Sequence, residues 1–357
     1  MSPLTNIFDL DGVEAVRKRG RLDPEQIRKL RNGLLKKFRP DDVALESFPA
    51  TDQLQCHSLE LFRRCDSSID GATKLLFRTS AGMLIESVIL RIASGRNTLC
   101  VSSQVGCAAA CDFCATGKMG IAKNLSVAEI LDQVLQAGQM LAEEDRRLNN
   151  IVFMGMGEPF HNEHILHSVV NQLVSPQLFD RPPSGVLVST VGVPDVMLRF
   201  AEAFPTVNLA LSLHSADQKV RSEIIPLAKL HTLDELHSTI ARINQIQKRE
   251  LMIEYLMLKG VNDSPDAANQ LLNWIEGLQV HINLIPYNPI EDSPHLEGSS
   301  RETIETFAGV LKSAGQKTTI RYSLGSDIDA ACGQLVRKEN RQHAVELNRA
   351  GRSERTQ

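Results

Sequence analysis

From Lys74 onward the chain changes to a period of two, with strand-like runs at Lys74–Thr79 and Met83–Leu90 split by Ser80-Ala81-Gly82, and a third at Thr98–Ser103. Such runs around a small-residue turn predict a β-meander. Upstream, residues 9–45 repeat at helical spacing: Ile27, Leu30, Leu34 and Leu35 form a stripe studded with Arg28, Lys29, Arg31, Lys36 and Lys37. Downstream, a helix over 126–142 opens with Ser126 and Glu129, a capping box, and carries Val127, Ile130, Leu131, Val134 and Leu135 on one face. Strand-like runs follow at 151–156, 186–190, 207–213, 251–257, 281–286 and 318–322. Helical stretches lie between them near 162–174, 194–204, 232–247 (Thr232 and Glu235 a second capping box), 265–277 and 299–314.

Repeated strand-then-helix units predict an α/β fold with a parallel sheet and helices outside it. About six units fall short of a closed eight-fold barrel, so the expectation is a partial, open β/α barrel with its site at the C-terminal ends of the strands. The expected organisation is a basic helical accessory module over 1–72, the meander over 73–103, the barrel over 104–335 and a polar, disordered tail over 336–357.

A chain of 357 residues with 42% apolar content can bury one large core and a smaller module. The net charge of −4 is unevenly spread. Residues 1–40 hold ten Lys/Arg against five Asp/Glu, residues 337–357 hold six against three, and the body between is acidic. Basic ends suit a polyanion that touches the protein there; a solvated helix face is the plainer reading. Nowhere do about 18 apolar residues run together, and the first residues lack a leader pattern, so an unexported, cytoplasmic protein without a membrane segment is expected. Seven cysteines in such a chain point to metal ligands or reactive thiols, because cytosolic thiols stay reduced.

The sharpest chemistry is Cys107-Ala-Ala-Ala-Cys111-Asp-Phe-Cys114, three thiols in one short loop after a strand. Structural zinc wants four ligands, and no fourth Cys or His lies within about five residues; an iron–sulfur cubane held by three thiolates would keep one iron open for an amino acid's amine and carboxylate. Next comes Met154-Gly155-Met156-Gly157-Glu158-Pro159 at the end of the following strand. Its glycines permit close backbone approach and its carboxylate can accept from an ammonium, though a plain strand-end turn has the same composition. Ser189, Ser212-Leu213-His214 and Asn288 fall at later strand ends, where a barrel ligand would lie and where simple turn residues also occur.

The Cys-x-x-x-Cys-x-x-Cys run with an aromatic residue before its last Cys resembles the radical-SAM superfamily. That resemblance implies a [4Fe-4S] cluster on Cys107, Cys111 and Cys114, S-adenosylmethionine on its open iron, and reductive release of a 5′-deoxyadenosyl radical. Gly157 and Glu158 would then bind the methionine amine, with Ser189, Ser212, Leu213, His214 and Asn288 completing the S-adenosylmethionine pocket.

From Glu86 to Leu335 the chain resembles the RNA adenosine methyltransferases, the adenine-C2 enzymes of 23S rRNA and tRNA and their antibiotic-resistance adenine-C8 relatives. The matching segments are Thr98–Cys107, Lys123–Ile130, Met154–Pro159, Ser212–His214 and Asp327–Leu335. The family pattern implies that Cys332 carries a methyl group from a first S-adenosylmethionine, and that a second makes the radical that activates it, two per turnover. Cys100 would release the adduct through a transient disulfide with Cys332, and Glu86 would accept the ring proton. An electron donor such as flavodoxin or ferredoxin is implied, with rRNA or tRNA as substrate. Cys56 and Cys65 fall outside every motif and receive no role. The residues leave C2 against C8 open. A radical-SAM enzyme on a non-RNA substrate, or an iron–sulfur RNA-binding protein without methyltransferase activity, are the rival readings.

Overall fold

The computed structural model describes residues 4–334 apart from Ser47, Ile121, Ala122 and Lys248. The tail expected over 336–357 lies outside the described residues.

One ten-stranded sheet carries the molecule. Its strands are β1 (Leu59–Asp66), β2 (Ala72–Thr79), β3 (Leu84–Arg91), β4 (Asn97–Cys100), β5 (Asn150–Phe153), β6 (Val186–Thr190), β7 (Asn208–Ser212), β8 (Leu251–Met257), β9 (Val280–Pro286) and β10 (Thr318–Ile320). Spatial order follows chain order, with β1 and β10 at the two edges, so the barrel is open as expected. Strands β1 to β4 pair antiparallel and β4 to β10 pair parallel.

The helices that connect the parallel strands are amphipathic and bury their apolar stripes against the outer face of the sheet. Helix α4 (Val127–Glu143) has the complete capping box, Ser126 Oγ accepting from Glu129 N at 3.2 Å and Glu129 Oε2 from Ser126 N at 2.8 Å. At the helix Leu233–Ile246 only half of the second box forms: Thr232 Oγ1 accepts from Glu235 N at 3.1 Å, and the Glu235 carboxylate turns to His231 instead.

The first 72 residues are not purely helical. Helices α1 (Leu10–Arg19), α2 (Pro24–Arg31) and α3 (Asp41–Leu45) are followed by edge strand β1. Its sequence hides the strand, because β1 has one neighbour and no covering layer: it is exposed over most of its length and shows no apolar alternation. The short helix Gln218–Ile224 is also unannounced by periodicity; the Asp217 carboxylate starts it by accepting from Lys219 N and Val220 N. No helix among the described residues is long and apolar enough to cross a membrane.

Candidate active site

The chain leaves the sheet after Cys100, and buried side chains satisfy the backbone there. Gln133 of α4 donates to Ser102 O at 3.0 Å while its Oε1 accepts from Ser102 N at 2.8 Å and Ser87 Oγ at 2.6 Å. Met156 O accepts from Ser103 N and Gln104 N, and Gln104 Oε1 accepts from Glu158 N at 2.9 Å, so the Met154–Pro159 turn lies flat on residues 101–104. A Cβ on Gly155 would stand 2.6 Å from Val101 O, and one on Gly157, at φ +108°, 2.7 Å from Gln104 Cβ. This packing explains why strand β5 stops at Phe153, short of the expected Met156.

Cys107, Cys111 and Cys114 follow in a loop kept open by Ala110 at φ +54° and anchored by Asp112 N donating to Ile224 O at 2.9 Å. Burial pushes the Cys111 thiol well above its usual range, with Cys114, Cys107 and Glu158 adding to the effect and Arg221 opposing it. Cys107 is pushed up to about 12 by burial, then by Glu158 and Cys114. Cys114 and Cys107 thus make a Cys111 thiolate costly without a cationic partner, and thiolates neutralised by a cation are the donor chemistry of an iron–sulfur cluster. Among the described residues no three His, Cys, Asp or Glu side chains are gathered to hold a single metal ion.

Glu158 is buried, its Oε1 accepting from Phe160 N at 3.0 Å and Oε2 from Val191 N at 2.9 Å; burial raises its carboxyl against those bonds. His214 has φ +60°, and its Nδ1 accepts from Leu256 N at 3.0 Å, which leaves the proton on Nε2. Burial, then Arg221, lowers it to about 3, so it is a neutral imidazole, with Phe113 packed edge-on at 4.8 Å. Ser189 Oγ donates to Glu254 at 3.2 Å, and Ser189 and Ser212 hydroxyls stand 3.4 Å apart. Strand alternation turns the Leu213 side chain into the apolar core, and its N–H is held by Leu211 O and Glu254 O.

These elements enclose a cavity of about 790 Å³ lined in part by Cys100, Cys114, Met154, Ser212, Glu254 and Cys332. Cys100 and Cys332, far apart in sequence, therefore face one space, both as free cysteines. Cys332 is open to the cavity, yet burial by the surrounding walls, then Glu254, pushes it up to about 12, with Arg321 pulling the other way. Burial and the Cys332 thiol push Cys100 likewise to about 12.

The segment bearing Cys332 is latched at several points. Asp327 accepts from Ser67 Oγ and Ser68 N at 2.8 Å, Asp70 from Gly325 N at 2.8 Å, and Asp329 O from Lys74 Nζ at 3.2 Å. Asn288 donates to Cys332 O at 3.1 Å and Ser323 Oγ at 3.0 Å, and Gly333 O accepts from Ala115 N in the three-cysteine loop at 2.8 Å. Asn288 thus holds the Cys332 segment in this structure.

Glu86 is fully buried. It shares the inner face of β3 with Val88 and Leu90, which line the cavity, but does not itself belong to the lining. Cys56 packs in the core and Cys65 pairs opposite Lys74 on β1; neither reaches the cavity. Reasoning from sequence passed over Arg221, Arg321 and Glu254. Glu254 carried a signal: a lone carboxylate inside the apolar run Leu251–Met257 has no solvated face to occupy.

The Radical SAM superfamily matches residues 101–272. The chain is 64% identical to a probable RNA methyltransferase of Rhodopirellula baltica over 96% of this chain and 90% of that one. It is 42% identical to the dual-specificity RNA methyltransferase RlmN of Ruthia magnifica over 76% of each. A radical SAM methyltransferase from Sphaerobacter thermophilus superposes with a TM-score of 0.84 at 34% identity, covering 93% of this chain and 99% of that one.

Proposed function

The chain belongs to the RlmN-type radical-SAM RNA methyltransferases, and from that premise we propose that it methylates a ring carbon of adenosine, C2 or C8, in ribosomal or transfer RNA. The supporting observation is the cavity shared by Cys100, Cys332 and Cys114. Cys107, Cys111 and Cys114 would hold a [4Fe-4S] cluster that, with S-adenosylmethionine on its open iron and an electron from a flavodoxin- or ferredoxin-type donor, supplies a 5′-deoxyadenosyl radical.

The rest of the proposal concerns the protein's own side chains. Cys332 is the methyl carrier: its Sγ takes a methyl group from one S-adenosylmethionine and presents it to the base, a second molecule being consumed as the radical source. Arg321 favours the Cys332 thiolate that this transfer requires. After the carbon–carbon bond forms, the adduct radical gives one electron back to the cluster that supplied it, the Cys100 thiolate Sγ attacks Cys332 Sγ, the Cys332 sulfur–carbon bond breaks, and the released carbon takes a proton to become methyl. The Cys100–Cys332 disulfide is then reduced by an external thiol. Glu86 accepts the proton from the ring carbon, and Gly157, Glu158, Ser189, Ser212, His214 and Asn288 surround S-adenosylmethionine.

The test is incubation of cluster-loaded, reduced protein with S-adenosylmethionine bearing a trideuterated methyl group and with unmodified ribosomal and transfer RNA, followed by nucleoside mass spectrometry. Methyladenosine that keeps two of the three deuteriums is the expected product, its retention time separating C2 from C8. Three retained deuteriums would mean direct polar transfer and would overturn the thiol-carrier route.

A further inference from the structure

Parallel register sets Ser212, Glu254, Asn283 and Thr319 in one row across β7 to β10. The row faces inward, because Ser212, Glu254, Asn283 and Thr319 all line the cavity. Thr319 Oγ1 donates to Asn283 Oδ1 at 3.1 Å, and Ser189 Oγ donates to Glu254 Oε2 at 3.2 Å.

Glu254 is the anomaly in the row. It is 4% exposed, yet its Oε1 accepts no hydrogen bond and has only a long ion pair, with Arg321 Nη1 at 3.8 Å. A buried carboxylate with a spare acceptor is unfavourable unless something supplies a donor. The fold does not need it, since strand pairing at this point uses the Glu254 backbone carbonyl, which accepts from Leu213 N at 3.0 Å and His214 N at 3.3 Å. An apolar side chain would continue the run Leu251–Met257 at less cost.

We propose that Glu254 is a ligand-binding residue whose Oε1 accepts a hydrogen bond from a hydroxyl or exocyclic amine of an adenosine held in the cavity. The identity of that ligand class rests on the function proposed above. Adenosine enters that reaction from two sources, the nucleoside of S-adenosylmethionine and the target nucleotide of RNA, and both offer a 2′-hydroxyl and the exocyclic amine. Ser189 steers the carboxylate through Oε2 and leaves Oε1 for the ligand, while Arg321 offsets its charge across the cavity. Burial raises the Glu254 carboxyl, and Arg321, Ser189, Asn283 and Ser212 oppose that shift in favour of the charged acceptor.

Glu254→Gln keeps the shape and the Ser189 contact but not the charge; Glu254→Ala removes the acceptor. Cluster-loaded wild type and variants would be titrated with S-adenosylhomocysteine by calorimetry and, separately, with unmodified transfer and ribosomal RNA by anisotropy at fixed salt, with melting temperature as the folding control. The proposal expects affinity for one probe to fall roughly ten- to a hundredfold in Glu254→Ala, and less in Glu254→Gln, with the other probe within about twofold. A loss confined to S-adenosylhomocysteine assigns Glu254 to the cofactor nucleoside, and one confined to RNA assigns it to the target. Unchanged affinity for both, or equal losses with a lowered melting temperature, overturns the proposal. If wild-type protein binds no RNA, the proposed function fails while the S-adenosylhomocysteine titration still decides the role of Glu254.

Discussion

Side chains within this site act through contacts of a few ångströms, so single substitutions should separate its tasks. Gly155→Ala would drive a Cβ to 2.6 Å from Val101 O, and backbone cannot yield as a flexible side chain can. A stability loss of about 2–4 kcal/mol is expected by denaturant titration, in the range of severe local strain. Cys332→Ala should abolish RNA methylation, a drop of at least about a thousandfold, while the protein still forms deoxyadenosine. Loss of deoxyadenosine as well would show that the substitution disturbed the neighbouring cluster loop rather than the methyl carrier. Cys100→Ala should instead trap RNA on the protein, visible as a slow band on a denaturing gel that ribonuclease removes.

At the scale of elements, His57 joins the helical module to the barrel. Its Nδ1 donates to Asp132 of α4 at 2.7 Å and its Nε2 to Asp41 of α3 at 2.8 Å, while Asp132 also accepts from Ser58 N and Leu59 N. Burial works against the charged ring, but the two carboxylates outweigh it and raise His57 to about 10. A raised pKa means the folded state holds the proton more tightly. Its stabilisation is therefore complete below the unfolded value of about 6.5 and is lost as pH climbs through about 10. Thermal melting should fall across that window in wild type and fall less in His57→Gln, which should itself be destabilised by about 2 kcal/mol at pH 6. A second junction is the latch from the turn after β1 to the Cys332 segment. Asp327→Ala removes three hydrogen bonds to Ser67 and Ser68, and should raise the rate of Cys332 alkylation severalfold while leaving the melting temperature within a few degrees.

Across the whole molecule, the parts that meet at the cavity come from separate places along the sheet. The three-cysteine loop follows β4 near the middle of the sheet, and the Cys332 segment follows β10 at its edge; Ala115 N and Gly333 O join them. Withdrawal of iron by a chelator should therefore speed hydrogen exchange in residues 325–334 as well as 107–117, measured by mass spectrometry, with the sheet unchanged. Exchange confined to 107–117 would show that the two segments are not coupled. The basic N-terminal helices should make RNA affinity fall with salt, and neutralising Arg28 and Lys29 together should flatten that slope by about two.

The sequence alone determined the alternation of strands and helices, because hydrophobic periodicity and capping residues such as Ser126 and Glu129 act within one or two turns of chain. It also determined the three-cysteine loop, whose cysteines are close in sequence and so close in space whatever the rest does. Edge strand β1 escaped that reading because an uncovered strand needs no apolar alternation. The turn of the Leu213 side chain into the apolar core, away from the cavity, escaped it because the register of a parallel strand depends on its neighbours. Only the tertiary structure could decide that Cys100 and Cys332 face one cavity, that Asn288 clasps the segment bearing one of them, and that Glu254 is buried with an acceptor to spare. Those facts arise where a sheet closes part of the way around a space, which is set by many distant contacts together and by no local run of residues.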